Sequence, residues 1–125
     1  MANATFEGMP QPLKDAFLKE NPDTVALHKM CERDITRMQS FQDISEELMK
    51  TIKAPAFIII GDADVVRPEH AVEMYRLLPH AKLAILPGGH GDYIGEITTS
   101  QDSTLIAATV LMINKFLNEP KTKAN

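Results

Sequence analysis

The chain has 125 residues, is 44% hydrophobic and 24% charged, and carries a net charge of −4, which suits one ordinary globular domain with a sizeable core. Its acidic and basic residues are interspersed, without the basic stripe of a nucleic-acid binder, and its longest apolar run, residues 56–60, is too short to span a bilayer. A single cysteine, Cys31, excludes an internal disulfide framework and Cys-pair metal motifs, and no signal peptide is read at the N-terminus, so a cytoplasmic setting is expected.

Residues 1–53 read as helices separated by turns. Gln11-Pro12 starts a first helix with Leu13, Phe17 and Leu18 on one face, and proline is tolerated in its first turn. Asn21-Pro22-Asp23 closes that helix and opens a second, with Asn21 expected as N-cap and Pro22 at the first helical position. Leu27, Cys31, Ile35 and Met38 then form one apolar stripe at helical spacing. Asp43, with Glu46 three residues on, predicts a capping box opening a short third helix.

From Pro55 the pattern changes. The run Phe57-Ile58-Ile59-Ile60 predicts a strand covered on both faces, followed by a polar loop, Gly61-Asp62-Ala63-Asp64. Pro68 opens a helix with Ala71, Met74, Tyr75 and Leu78 on one face, and Pro79 ends it. A second apolar run, Leu83-Ala84-Ile85-Leu86, leads into Pro87-Gly88-Gly89-His90-Gly91. Strand, helix and strand together have the size of one βαβ unit with parallel strands. A last helix is expected over residues 103–117, with Leu105, Met112 and Phe116 inward, Ile106, Ile113 and Leu117 beside them, and apolar residues around much of its circumference, packed tightly on the sheet. Residues 119–125 form a polar tail, and no internal repeat is present. The expected class is α/β.

In open α/β sheets, catalytic groups gather beyond the carboxyl ends of the strands. Two such ends occur here, and each is followed by a candidate: Asp64 after the first strand and His90 after the second. Neighbouring parallel strands lie about 4.8 Å apart, so groups on their loops come within hydrogen-bond reach. An aspartate bonded to one imidazole nitrogen sets the tautomer and leaves the other nitrogen free as a base.

The stretch from Pro55 to Ala71, with its strand, Gly61-Asp62-Ala63-Asp64 and helix-opening Pro68, resembles the acid-bearing segment of the α/β-hydrolase family. The stretch from Leu83 to His90 resembles the segment presenting that family's catalytic histidine. The resemblance implies that Asp64 is the acid and His90 the histidine of a triad, in the family's order of nucleophile, acid, histidine. It covers residues 54–118 well and implies a partial α/β-hydrolase fold. Residues 1–53 resemble the helical cap segment only loosely. The chain departs from the family in one respect: no Gly-x-Ser-x-Gly nucleophile elbow is present. Ser40, Ser45, Ser100 and Ser103 lack flanking glycines, and Cys31 sits within a predicted helix. The expectation is therefore a C-terminal portion of a hydrolase, inactive by itself, lacking the N-terminal half that would carry the nucleophile.

Asp62 is expected to serve the turn by bonding backbone amides. His70 and His80 are expected at the surface, and His28 at a solvated helix position, with a pocket-facing role under a closed cap as its alternative. The seven methionines are expected as core filler. Asp62, Asp64 and His90 make a nonspecific metal set without zinc spacing, so no metal and no cofactor are expected. Two functional readings follow. In the first, the complete fold hydrolyses an ester, amide or related bond of a small-molecule substrate. In the second, the chain is a non-catalytic binding or assembly module. Two strands expose their edges and are marginal alone, so the sheet is expected either to be covered by helices on all sides or to pair in a homo-oligomer.

Overall fold

A computed structural model describes residues 4–99 and 101–120; Ser100 and residues 121–125, most of the expected polar tail, lie outside the described residues. The chain divides into two compact units between Asp43 and Ile44.

The first unit contains α1 (Gln11–Glu20) and α2 (Thr24–Gln39), which lie against each other. Leu27 and Cys31 of α2 are buried and Ile35 is half-buried, but Met38 is exposed, so the expected stripe ends one turn early. Asp23, not Asn21, caps α2: its Oδ1 accepts the amides of Val25 at 2.9 Å and Ala26 at 3.0 Å. Asn21 belongs to the end of α1, and its Oδ1 accepts only the Asp23 amide, at 3.3 Å. Pro22 thus stands before the cap, outside the helix. Asp23→Ala is expected to lower stability by about 1 kcal/mol and Asn21→Ala by less, read as urea midpoints.

The second unit begins with α3 (Glu46–Lys50), followed by β1 (Ala56–Gly61), α4 (Pro68–Leu77), β2 (Ala81–Leu86), a 3₁₀ turn (Asp92–Ile94) and α5 (Ser103–Asn118). Ser45 rather than Asp43 caps α3, its Oγ accepting the Leu48 amide at 3.3 Å. Among the described residues the fold is therefore mixed α/β, with five α-helices and a two-stranded sheet. The strands are parallel, in register from Ala56 opposite Ala81 to Gly61 opposite Leu86.

The βαβ reading of residues 56–86 accounts for this geometry: α4 carries the chain back so that β2 runs alongside β1, and it packs on both strands. Pro68 occupies the first turn of α4, where no backbone donor is needed. Ile60, Ala71 and Leu78 are buried, whereas Tyr75, expected on the inner face, is exposed. From α5, Phe116 meets Phe57 of β1 with ring centroids 5.4 Å apart.

Leu105, Thr109, Met112 and Phe116 form the inner face of α5. Thr109 is fully buried, and its hydroxyl donates to the Leu105 carbonyl at 2.9 Å, so no polar atom is left unmatched there. Ile106 and Ile113, beside that face, are half-buried. Val110, Leu111 and Leu117 are exposed, Leu111 at 70%, so the helix packs along one stripe rather than around its circumference. Ile85 of β2 is also exposed, and the sheet is not sheathed on all sides. No helix among the described residues is long and apolar enough to cross a membrane.

Candidate active site

The two loops leaving the carboxyl ends of β1 and β2 are bonded to each other. The Asp62 amide donates to the Leu86 carbonyl at 2.7 Å, continuing the parallel ladder one residue past the strand. The Ala63 amide donates to the Gly88 carbonyl at 3.0 Å. In the other direction, the Gly88 amide donates to Asp62 Oδ1 at 3.0 Å. Gly61 is buried at this junction because no side chain fits: a Cβ there would lie 2.2 Å from the Gly88 carbonyl oxygen. Gly88 itself has φ 115°, a backbone region that residues with a Cβ avoid.

This junction brings Asp64 and His90 together. His90 Nδ1 lies 2.9 Å from Asp64 Oδ1, across 26 positions of sequence. Asp64 turns back through its own loop, its amide reaching the Gly61 carbonyl at 3.4 Å while Oδ1 accepts the Val66 amide at 3.3 Å. The two partners differ in exposure: the Asp64 side chain is 3% exposed and the His90 side chain 68%. Burial alone would raise the Asp64 carboxyl. The hydrogen bond from His90, the Val66 and Val65 amides and the charge of His90 outweigh it, and the carboxyl is held below the ordinary aspartate range.

With Oδ1 of an ionised carboxylate as its neighbour, Nδ1 is assigned as the protonated nitrogen and donates to Asp64. Nε2 then carries the lone pair on an exposed ring. This is the disposition of a general base: one nitrogen oriented by a carboxylate, the other free to accept a proton.

Two residues near the pair were not singled out by sequence. Asp92 Oδ2 accepts the Gly89 amide at 2.6 Å, gripping the histidine loop from the 3₁₀ turn. Tyr93 donates its hydroxyl to the Ile59 carbonyl at 3.2 Å; burial, and then the charge of Asp64, pushes its phenol above the ordinary range. The signal for Asp92 was a short carboxylate just after a glycine-rich turn, a residue type that bonds nearby amides. Nothing in the sequence marks Tyr93.

Ser45 caps α3, and the Ser40 hydroxyl donates to the Thr36 carbonyl at 2.9 Å. Ser103 is exposed at the start of α5, Cys31 is buried in α2, and Ser100 lies outside the described residues. His28 stacks on Phe6 with centroids 3.6 Å apart, and Lys14 Nζ stands 4.6 Å from the centre of the same Phe6 ring. His70 faces Glu73 at 3.7 Å on the exposed side of α4, and the His80 carbonyl accepts the Ala56 amide at 3.0 Å. Among the described residues, no three histidine, cysteine or carboxylate groups are gathered to hold a metal ion. Comparison with protein-family models, with curated proteins and with solved structures yields no match to this chain.

Proposed function

We infer that residues 54–118 correspond to the C-terminal portion of an α/β-hydrolase fold and that Asp64 and His90 are the acid and base of a hydrolytic triad. The observation that carries this reading is the 2.9 Å contact between His90 Nδ1 and Asp64 Oδ1, at the carboxyl ends of adjacent parallel strands. In the reaction proposed, a nucleophilic hydroxyl attacks the carbonyl of a small-molecule ester or amide and passes its proton to His90 Nε2. Asp64 stabilises the imidazolium so formed, the imidazolium protonates the leaving group, and a water deprotonated by the same Nε2 then releases the acyl group as the acid and restores the hydroxyl. The sequence supplies no Gly-x-Ser-x-Gly, so the nucleophile is assigned to a segment other than these residues.

The test is the tautomer of His90, read from the ring nitrogen shifts of histidine-labelled protein at neutral pH. The reading expects the Nδ1–H form, lost in Asp64→Ala. A predominant Nε2–H form in the unsubstituted chain would sink it. A separate prediction concerns turnover. The chain alone is expected to cleave an activated aryl ester slowly, without saturation, as a free imidazole does. Fast, saturable turnover abolished by His90→Ala would place a nucleophile within these residues after all.

A second reading, a non-catalytic assembly module that self-associates, draws on a different observation. Among the described residues β1 and β2 pair only with each other, and Ile85 remains exposed, so strand edges and apolar surface are open to another chain. Sedimentation separates the two readings: a compact monomer at micromolar concentration counts against the module.

A further inference from the structure

We propose that Asp62 is a positioning residue for His90: its carboxylate, working with that of Asp92, clamps the glycine-rich loop so that the imidazole meets Asp64. The inference rests on the reading of Asp64 and His90 as a working pair and adds what holds that pair in register.

The His90 ring is mostly in solvent, so side-chain packing cannot fix where it stands. Its place is set by the backbone of residues 87–90, which contains two consecutive glycines and so has unusual conformational freedom. Bonds to the neighbouring loop and turn hold that backbone. The Gly88 amide is tied to Asp62 Oδ1 at 3.0 Å, and the next amide, Gly89, is tied to Asp92 Oδ2 at 2.6 Å. The two carboxylates therefore hold successive amides immediately before the histidine. Asp92 also fills the space beside Gly88, where a Cβ would meet its Oδ2 at 2.9 Å.

Asp62 is suited to this work because the Asp62 amide is itself fixed on the Leu86 carbonyl, the last position of β2. One residue thus bonds the end of β2 with its backbone and the histidine loop with its side chain. Asp64 follows two positions later, so the acid and the clamp share one turn, and releasing Gly88 from Asp62 also frees His90 to move relative to Asp64. Serving its own turn, as first expected, would bond Asp62 to amides nearby in sequence. Its partner instead lies 26 positions away, in the loop that presents the base.

The test uses the same tautomer signature in the full chain. Asp62→Ala is expected to lose the Nδ1–H form of His90 while the amide spectrum of β1 and β2 persists. Asp62→Asn is expected to restore it, because the amide oxygen still accepts the Gly88 donor. Should Asp62→Ala fail to fold, Asp62→Glu decides: the charge is kept but the oxygen is carried outward by one methylene, and the signature is expected to be lost. Retention of the full signature in Asp62→Ala, or in Asp62→Glu where that variant is needed, overturns the proposal. Absence of the signature in the unsubstituted chain overturns the parent reading, and this one with it. Presence in the unsubstituted chain and persistence in the variants overturns this one alone.

Discussion

Gly61→Ala is expected to cost the second unit about 3 kcal/mol or more, an overpacking penalty at the upper end of its usual range, and to unfold it under conditions where the wild-type chain is stable. The added Cβ would stand 2.2 Å from the Gly88 carbonyl oxygen and 2.7 Å from that of Gly89. Both obstacles are backbone, so no rotamer change relieves the clash. Moving the histidine loop away would break the Asp62–Leu86 and Ala63–Gly88 backbone bonds and the Asp62 carboxylate bond to Gly88. Each of those is worth about 1 kcal/mol. The requirement for glycine here is one of close approach, since the backbone of Gly61 is ordinary extended strand. Gly8→Ala is the natural control. Its Cβ would meet nothing closer than 3.5 Å, so its cost is expected to stay within about 0.5 kcal/mol. Urea unfolding followed by circular dichroism reads both. A Gly61→Ala chain with an unshifted midpoint would mean that the two loops do not approach as closely as 2.2 Å implies.

The elements that position the candidate pair were legible because their signals are local and redundant. Residues 57–60 and 83–86 are short apolar runs bounded by proline, glycine and polar residues, and Pro68 and Pro79 bracket the helix between them. Parallel pairing then follows from the crossover. The helix caps were less legible, for a physical reason. Asn21 and Asp23 are both competent caps flanking one proline, and local composition does not decide which amides each one reaches. At α3 the cap is Ser45, two residues beyond the expected Asp43, and its hydroxyl reaches the Leu48 amide. The inner stripe of α5, Leu105, Met112 and Phe116, was legible from its spacing, but how far cover extends beyond it was not. An apolar residue such as Leu111 is inward or outward according to what the rest of the fold places against it, and here little covers it. Within the candidate site, Asp64 and His90 were legible from their places after strand ends. The Asp62 and Asp92 grips on Gly88 and Gly89 were not, because they depend on the separation of two loops in space.

Asp64→Asn is expected to destabilise the second unit by about 1–2 kcal/mol near neutral pH, with a dependence on pH that identifies the carboxylate as the cause. Hydrogen bonds to a charged group contribute about 1.5–3 kcal/mol, and the value is discounted here because the imidazole partner faces water. In the folded chain the Asp64 carboxyl is held below the ordinary aspartate range, by His90 and by the Val66 and Val65 amides, against the opposing effect of burial. In the unfolded chain it titrates at about 3.9. The unfolded state therefore binds the proton more readily, and the stabilisation is fully present above that unfolded value. It is lost as the pH falls through the depressed folded value, where both states are protonated. The wild-type and Asp64→Asn curves of stability against pH should run apart between pH values of about 5 and 7 and converge in acid. The substitution also exchanges a pure acceptor for a group that can donate to Nδ1, which favours the opposite imidazole tautomer and removes the lone pair from Nε2. Stability curves that stay parallel down to strong acid would show that the loss comes from packing, and that the charge of Asp64 contributes nothing to holding His90.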